Sequence, residues 1–273
     1  MNELDPFGII GRTLDGQYRV EAFVGEGSFS AVYRGMQDGL GESCAIKCLK
    51  LPGGMEPALI ETFVRRFRDE SKLHYRLAQG NLNIARSLAA GSFAVEATGQ
   101  VVPYIVFEWL EGRTLAQEIQ VRREVGDGPM VIEEAVRILR TAADALAFAH
   151  SQGVVHRDVT PSNLFLLRAA HPPRTKVLDF GLAKVVSDHA MDLGPRAPTM
   201  GYLKLFSPGY AAPEQFDQRY GAIGPWTDVY AFAQVLVELL YGRSLCDGDN
   251  LAAYAAVAMN RDRRPTPRAF GLE

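Results

Sequence analysis

The densest chemistry in the chain lies in one short segment, His156-Arg157-Asp158-Val159-Thr160-Pro161-Ser162-Asn163. A carboxylate, Asp158, and a carboxamide, Asn163, stand five positions apart around a rigid proline. That spacing suits the first to a reacting hydroxyl and the second to a metal ion. Further on, Val177-Leu178-Asp179-Phe180-Gly181 carries an aspartate between an apolar strand and a flexible glycine, which is how a carboxylate is presented to a hard cation such as Mg²⁺. Nearer the N-terminus, Gly25-Glu26-Gly27-Ser28-Phe29-Ser30-Ala31-Val32 is a turn whose backbone N–H groups can approach phosphate oxygens. Lys47, centred in the apolar strand Ala45-Ile46-Lys47, needs a partner, because an unpaired buried charge is costly. Glu70 is the candidate, on a helix lined by Phe63, Phe67 and Leu77. Taken singly, the glycine turn also suits an ordinary hairpin, Lys47 an edge strand and Asp179 a plain turn.

Elements must hold these groups. Alternation predicts strands over residues 18–24, 31–35 and 44–49, then 85–93 and 101–109 with a polar hairpin at 96–100. A helical period runs over 60–77. After Gly112 the texture turns helical, over 115–123 and over 132–150, where Glu133 and Glu134 suit a helix start and Gly153 follows its end. Residues 229–241 read as a core helix and 250–259 as another. Residues 185–208 form a long loop of the kind that is usually functional. The fold class is therefore α+β in two lobes: a small β-rich lobe over 18–108 and a larger, mainly helical lobe over 109–273, with 1–17 as an N-terminal extension and a hinge near 108–112.

Composition narrows the classes. With 273 residues, 47% apolar and 22% charged, the chain reads as globular. A net charge of −3 gives no broad footprint for nucleic acid. Three cysteines, Cys44, Cys48 and Cys246, make neither a disulfide framework nor a zinc site and suit a reducing, cytoplasmic setting. Residues 1–11 do not read as a signal peptide, and no run reaches the roughly 18 apolar residues of a membrane span.

In this order, the motifs resemble the eukaryotic-like serine/threonine protein kinases, from about Tyr18 to Gly242, and the bacterial branch in particular through Phe206-Ser207-Pro208-Gly209-Tyr210-Ala211-Ala212-Pro213-Glu214-Gln215-Phe216. The resemblance implies ATP and Mg²⁺ (or Mn²⁺) as cofactors and a protein substrate, with no nucleic-acid or membrane partner in this chain and a homodimer as a route to autophosphorylation. It implies that Gly25, Glu26, Gly27, Ser28, Phe29 and Ser30 cover the ATP phosphates. Lys47 would hold the α- and β-phosphates and pair with Glu70. Asp158 would take or orient the substrate hydroxyl proton, and Asn163 and Asp179 would hold magnesium. Phe107 would be the gatekeeper, with backbone groups of Glu108 to Leu110 at the adenine, and Val32, Ala45 and Leu164 join the nucleotide-binding set. Asp228 would support the catalytic loop and Glu214 would anchor the end of the activation segment. Arg157 would bind a phosphate on that segment, with Thr199 the expected acceptor, Ser187 and Tyr202 less so, and Ser207 a structural hydroxyl against the catalytic loop.

The sequence departs from the family in three places. Thr160 stands where a lysine usually neutralises the γ-phosphate, which implies slower turnover. Ser30 replaces a glycine. Arg264-Pro265-Thr266 superficially fits the arginine motif that pairs with the residue matching Glu214, but it reads as the loop after the 250–259 helix, so that the last helices of the family would be missing. A nucleotide-binding pseudokinase and a small-molecule kinase are the competing readings. The complete set Lys47, Asp158, Asn163 and Asp179 opposes the first, and Ala212-Pro213-Glu214 with Asp228 opposes the second.

Overall fold

The computed structural model describes residues 5–27, 30–51, 57–168, 170–180, 207–246, 250–260, 262 and 264–272. Among these, the chain divides into two compact units, one of residues 5–80 and 85–110, the other of 81–84, 111–180 and 207–272.

The first unit is a six-stranded antiparallel sheet with one long helix. Its strands are β1 (Thr13–Leu14), β2 (Tyr18–Glu26), β3 (Ser30–Gln37), β4 (Glu42–Leu49), β5 (Ser87–Ala94) and β6 (Val101–Glu108), in the order β1-β2-β3-β4-β6-β5. Period-two alternation sends Tyr18, Val20, Tyr33, Cys44, Ile46, Cys48, Val102, Tyr104 and Val106 into one core. Gly35 of β3 lets these strands close up, since a Cβ there would stand 2.6 Å from Ile46 Cδ1 and 2.8 Å from the Arg19 carbonyl oxygen.

Phe7, Ile9 and Leu14, from the segment read as an extension, lie in that same core. Two tyrosines tie the segment down: Tyr33 donates to Asp5 Oδ1 at 2.9 Å and Tyr104 to Asp15 Oδ2 at 2.6 Å. Helix α1 (Pro57–Gly80) packs against β5 and β6 through Phe63, Phe67, Ser71, His74 and Leu77, a stripe at helical spacing.

The second unit holds a small sheet, β7 (Gly112–Thr114), β8 (Leu164–Leu167) and β9 (Thr175–Val177), and the helices α2 (Leu115–Val125), α3 (Ile132–Ser151), α4 (Pro213–Phe216), α5 (Pro225–Tyr241) and α6 (Leu251–Met259). Helix α3 buries an alanine-rich face, Ala135, Ala142, Ala145 and Ala149, with Ile138, Leu139 and Leu146. Small side chains let β9 and α5 lie close to it. Thr175 fixes β9 to α3: its N–H donates to Thr141 Oγ1 at 2.8 Å and its hydroxyl to the Ile138 carbonyl at 2.8 Å. Helix α5 begins with Pro225 in its first turn and ends at Gly242 in the left-handed conformation, φ 78°. No helix among the described residues is long and apolar enough to cross a membrane.

Candidate active site

In the sheet unit, register gathers several expected residues onto one face. Lys47 is paired with Val32 on β3 and with Ile105 on β6, and Ala45 is paired with Phe107. Directly opposed residues share a face, and so do residues two apart, so Val32, Ala45, Lys47 and Phe107 line the face away from the Cys44, Ile46 and Cys48 core. Burial raises the two thiols, Cys44 to about 11 and Cys48 to about 12, which keeps them protonated packing groups.

Phe107 is buried, and the His74 ring of α1 meets it edge-on with centroids 5.4 Å apart. Glu70 stands one helical turn before His74 and three residues after Phe67 on the inward stripe of α1. The Glu108 N–H is taken by the Arg86 carbonyl at 2.9 Å. At the hairpin tip, Gly27 N–H closes on the Ser30 carbonyl at 2.7 Å, and Lys50 donates to the Glu26 carboxylate and, at 3.1 Å, to the Gly27 carbonyl. Ser28 and Phe29 lie outside the described residues, as do Gly181, Ser187, Thr199, Tyr202 and Phe206.

In the helical unit the site is built outward from Asp228, 1% exposed in the first turn of α5. Its Oδ1 accepts the Arg157 N–H at 2.8 Å, and its Oδ2 accepts the His156 N–H at 2.8 Å and His150 Nε2 at 2.7 Å. A buried carboxylate so supplied with donors is tolerable, and it satisfies two backbone N–H groups that no regular element serves. His156, fully buried, bridges the next two segments. Its Nε2 lies 2.7 Å from the Leu178 carbonyl, which can only accept, and its Nδ1 accepts the Asp158 N–H at 3.2 Å. The ring is thus the neutral Nε2–H tautomer. The Leu178 N–H in turn donates to the Asn163 carbonyl at 2.9 Å, which ties the strand leading to Asp179 onto the 156–163 segment.

Asn163 Nδ2 donates to both the carbonyl and Oδ2 of Asp158, at 2.8 and 2.9 Å. With its nitrogen committed, its Oδ1 is the atom left for a cation. Asp179 follows with φ 60° and Arg157 has φ 69°, both left-handed conformations that cost a residue with a side chain of order 1–3 kcal/mol. Asp158 Oδ1 accepts the Ser207 N–H at 3.0 Å, so Ser207 meets the 156–163 segment through its backbone, where a hydroxyl was expected. Thr160 is 3% exposed and its carbonyl starts the turn that positions Asn163. Leu164, at the head of β8, is fully buried.

Sequence reasoning missed two participants. His150, at the end of α3, holds Asp228, and Gln215 Nε2 donates to the Arg157 carbonyl at 2.8 Å. Glu214 accepts the Thr227 hydroxyl at 2.6 Å, while Arg264 donates to the Ala258 carbonyl at the end of α6 at 3.0 Å.

Asn163 and Asp179 offer hard oxygen ligands and no nitrogen or sulfur, a donor set that fits Mg²⁺, which keeps waters and takes one or two protein ligands with substrate phosphates. The chain matches the family model described as the protein kinase domain over residues 18–266. It is 30% identical to a probable serine/threonine-protein kinase PknB of Corynebacterium glutamicum, over 92% of this chain and 35% of that protein. It is also 30% identical to the serine/threonine-protein kinase pkn3 of Myxococcus xanthus, over 95% of this chain and 44% of that protein. The chain thus spans less than half the length of these relatives. Among solved structures it is similar in fold to the PknI kinase domain of Mycobacterium tuberculosis, with a TM-score of 0.61 at 24% identity, covering 90% of this chain and 84% of that one.

Proposed function

The chain belongs to the eukaryotic-like serine/threonine protein kinases of bacteria, and on that premise we propose that it transfers the γ-phosphate of ATP to serine or threonine hydroxyls of proteins. The observation that carries this reading is the double hold of Asn163 on Asp158, which commits the amide nitrogen and leaves an amide oxygen beside a carboxylate.

Such transfer needs positioning and charge neutralisation more than covalent help. Asp158 orients the acceptor hydroxyl and receives its proton as the new O–P bond forms. Its Oδ1 must exchange the Ser207 N–H for that hydroxyl. Lys47 neutralises the α- and β-phosphates, with Glu70 as its partner on α1. Asn163 and Asp179 hold the divalent cation, which supplies charge neutralisation when bound. Thr160 can only hydrogen-bond where the family usually adds a cation, so turnover is slow. Arg157 receives a phosphate on Thr199, delivered by a second copy of the chain.

The test is γ-³²P transfer from ATP with Mg²⁺, to the chain itself and to a generic acceptor protein, with the labelled sites mapped by mass spectrometry. Asp158→Asn is expected to lose at least about a hundredfold in kcat, and Thr160→Lys to gain several-fold. ATP binding without transfer in the parent chain would overturn the assignment. Label confined to sites other than Thr199 would overturn the regulatory part alone.

A further inference from the structure

One ring of hydrogen bonds in the helical unit closes through a residue to which the transfer reaction gives no part. Gln215 lies in the single turn of α4. Its Oε1 accepts the Ala212 N–H at 3.0 Å, a local cap. Its Nε2 reaches 58 positions back along the chain to the Arg157 carbonyl, at 2.8 Å. Arg157 is the strained residue with φ 69°. Its N–H is held by Asp228 and its carbonyl by Gln215. The peptide group after Arg157 also carries the Asp158 N–H, which His156 Nδ1 accepts. That peptide is therefore pinned on both edges, and the next atom along the chain is the Asp158 Cα. The neighbours complete the circuit: Glu214 accepts the Thr227 hydroxyl, and Thr227 precedes Asp228, which holds His156 and Arg157.

We infer that Gln215 is a positioning residue for Asp158: its amide N–H holds the Arg157 carbonyl and so fixes the peptide from which the Asp158 carboxylate is aimed. The kinetic part of this inference rests on the kinase reading. The hold itself is a property of the folded chain.

Gln215→Glu separates the two roles of the side chain. It keeps an acceptor for the Ala212 N–H and is nearly isosteric, but it loses the donor and sets a carboxylate against the Arg157 carbonyl. A residue that merely caps α4 would tolerate it. Near pH 8 the variant is expected to lose about tenfold in kcat, the worth of about one hydrogen bond, with the KM for ATP unchanged. The deficit should narrow as pH falls toward the range in which the new carboxyl takes up a proton and can donate. Backbone hydrogen exchange over residues 154–164 should be faster in the variant at the higher pH. A Gln215→Glu chain that matches the parent in kcat, in its pH profile and in exchange would overturn the inference. Should that variant not fold, Gln215→Met removes both hydrogen bonds at similar volume, and unchanged exchange in folded Gln215→Met overturns it equally. A parent chain that transfers no phosphate would sink the kinase reading, and the exchange comparison would still decide the hold.

Discussion

Asp228 and Glu238 are buried carboxylates on the same helix that differ in how many donors reach them. Asp228 accepts three donors among the described residues. Glu238 is 7% exposed and accepts the Tyr210 hydroxyl. Burial, the larger influence, pushes the Glu238 carboxyl above its ordinary 4.5, and the Tyr210 hydrogen bond only partly opposes it. A carboxyl raised in the folded state holds its proton more tightly there than in the unfolded chain. Its contribution to stability is full below the unfolded value of 4.5 and is lost as pH rises through the folded value. Gln at 238 still accepts from Tyr210 and does not titrate. Thermal melts of Glu238→Gln are therefore expected to run above those of the parent at pH about 8 and to converge with them near pH about 4. A variant that melts lower at pH 8 would show that the charge stabilises the fold.

Asp158, Asn163 and Asp179 could be singled out in the sequence because each sits in a short segment whose residue types have few other uses together. His150 and Gln215 were not legible. Their partners lie 78 and 58 positions away, and a hydrogen bond across such a gap leaves no local pattern.

At the scale of elements, periodicity found the long pieces. The helix read over 60–77 is α1 at Pro57–Gly80, and that over 132–150 is α3 at Ile132–Ser151. Strands β1 and β7, of two and three residues, are too short to show a period. The strand read over 85–93 begins later, at Ser87, and the Arg86 N–H just before it donates to the Glu108 carboxylate rather than to a ladder partner. Thr141 and Thr175 dock β9, the strand that leads to Asp179, on α3. Thr141→Val strips the acceptor from the buried Thr175 N–H and is expected to cost about 1–3 kcal/mol. Thr175→Val leaves the Ile138 carbonyl its place in the helix and should cost less, about 1 kcal/mol. Chemical denaturation of the two variants gives the order, and the reverse order would mean that the Thr141 bond is not what secures the strand.

For the molecule as a whole, the family match begins at residue 18, whereas the core of the sheet unit begins at Phe7. Nothing in residues 1–17 has a periodic or motif signature, so their packing could not be read from sequence. Burial pushes the Asp5 carboxyl up, but the N–H groups of Ile10, Ile9 and Gly8 and the Tyr33 hydroxyl outweigh it and hold the group below its ordinary value. Ile9 is fully buried, and Ile9→Ala is expected to destabilise the chain by about 2–4 kcal/mol, as a core truncation would, measured by urea unfolding. A loss below about 0.5 kcal/mol, the level of an ordinary surface substitution, would show that the segment merely rests on the sheet. The packing also bears on modularity. Homology marks out the portion of the polypeptide that recurs among relatives, while the hydrophobic seam marks the portion that can be moved as a piece. Here the two borders differ, and a domain exchanged between proteins at the homology border would arrive with Tyr33 and Tyr104 facing an open seam.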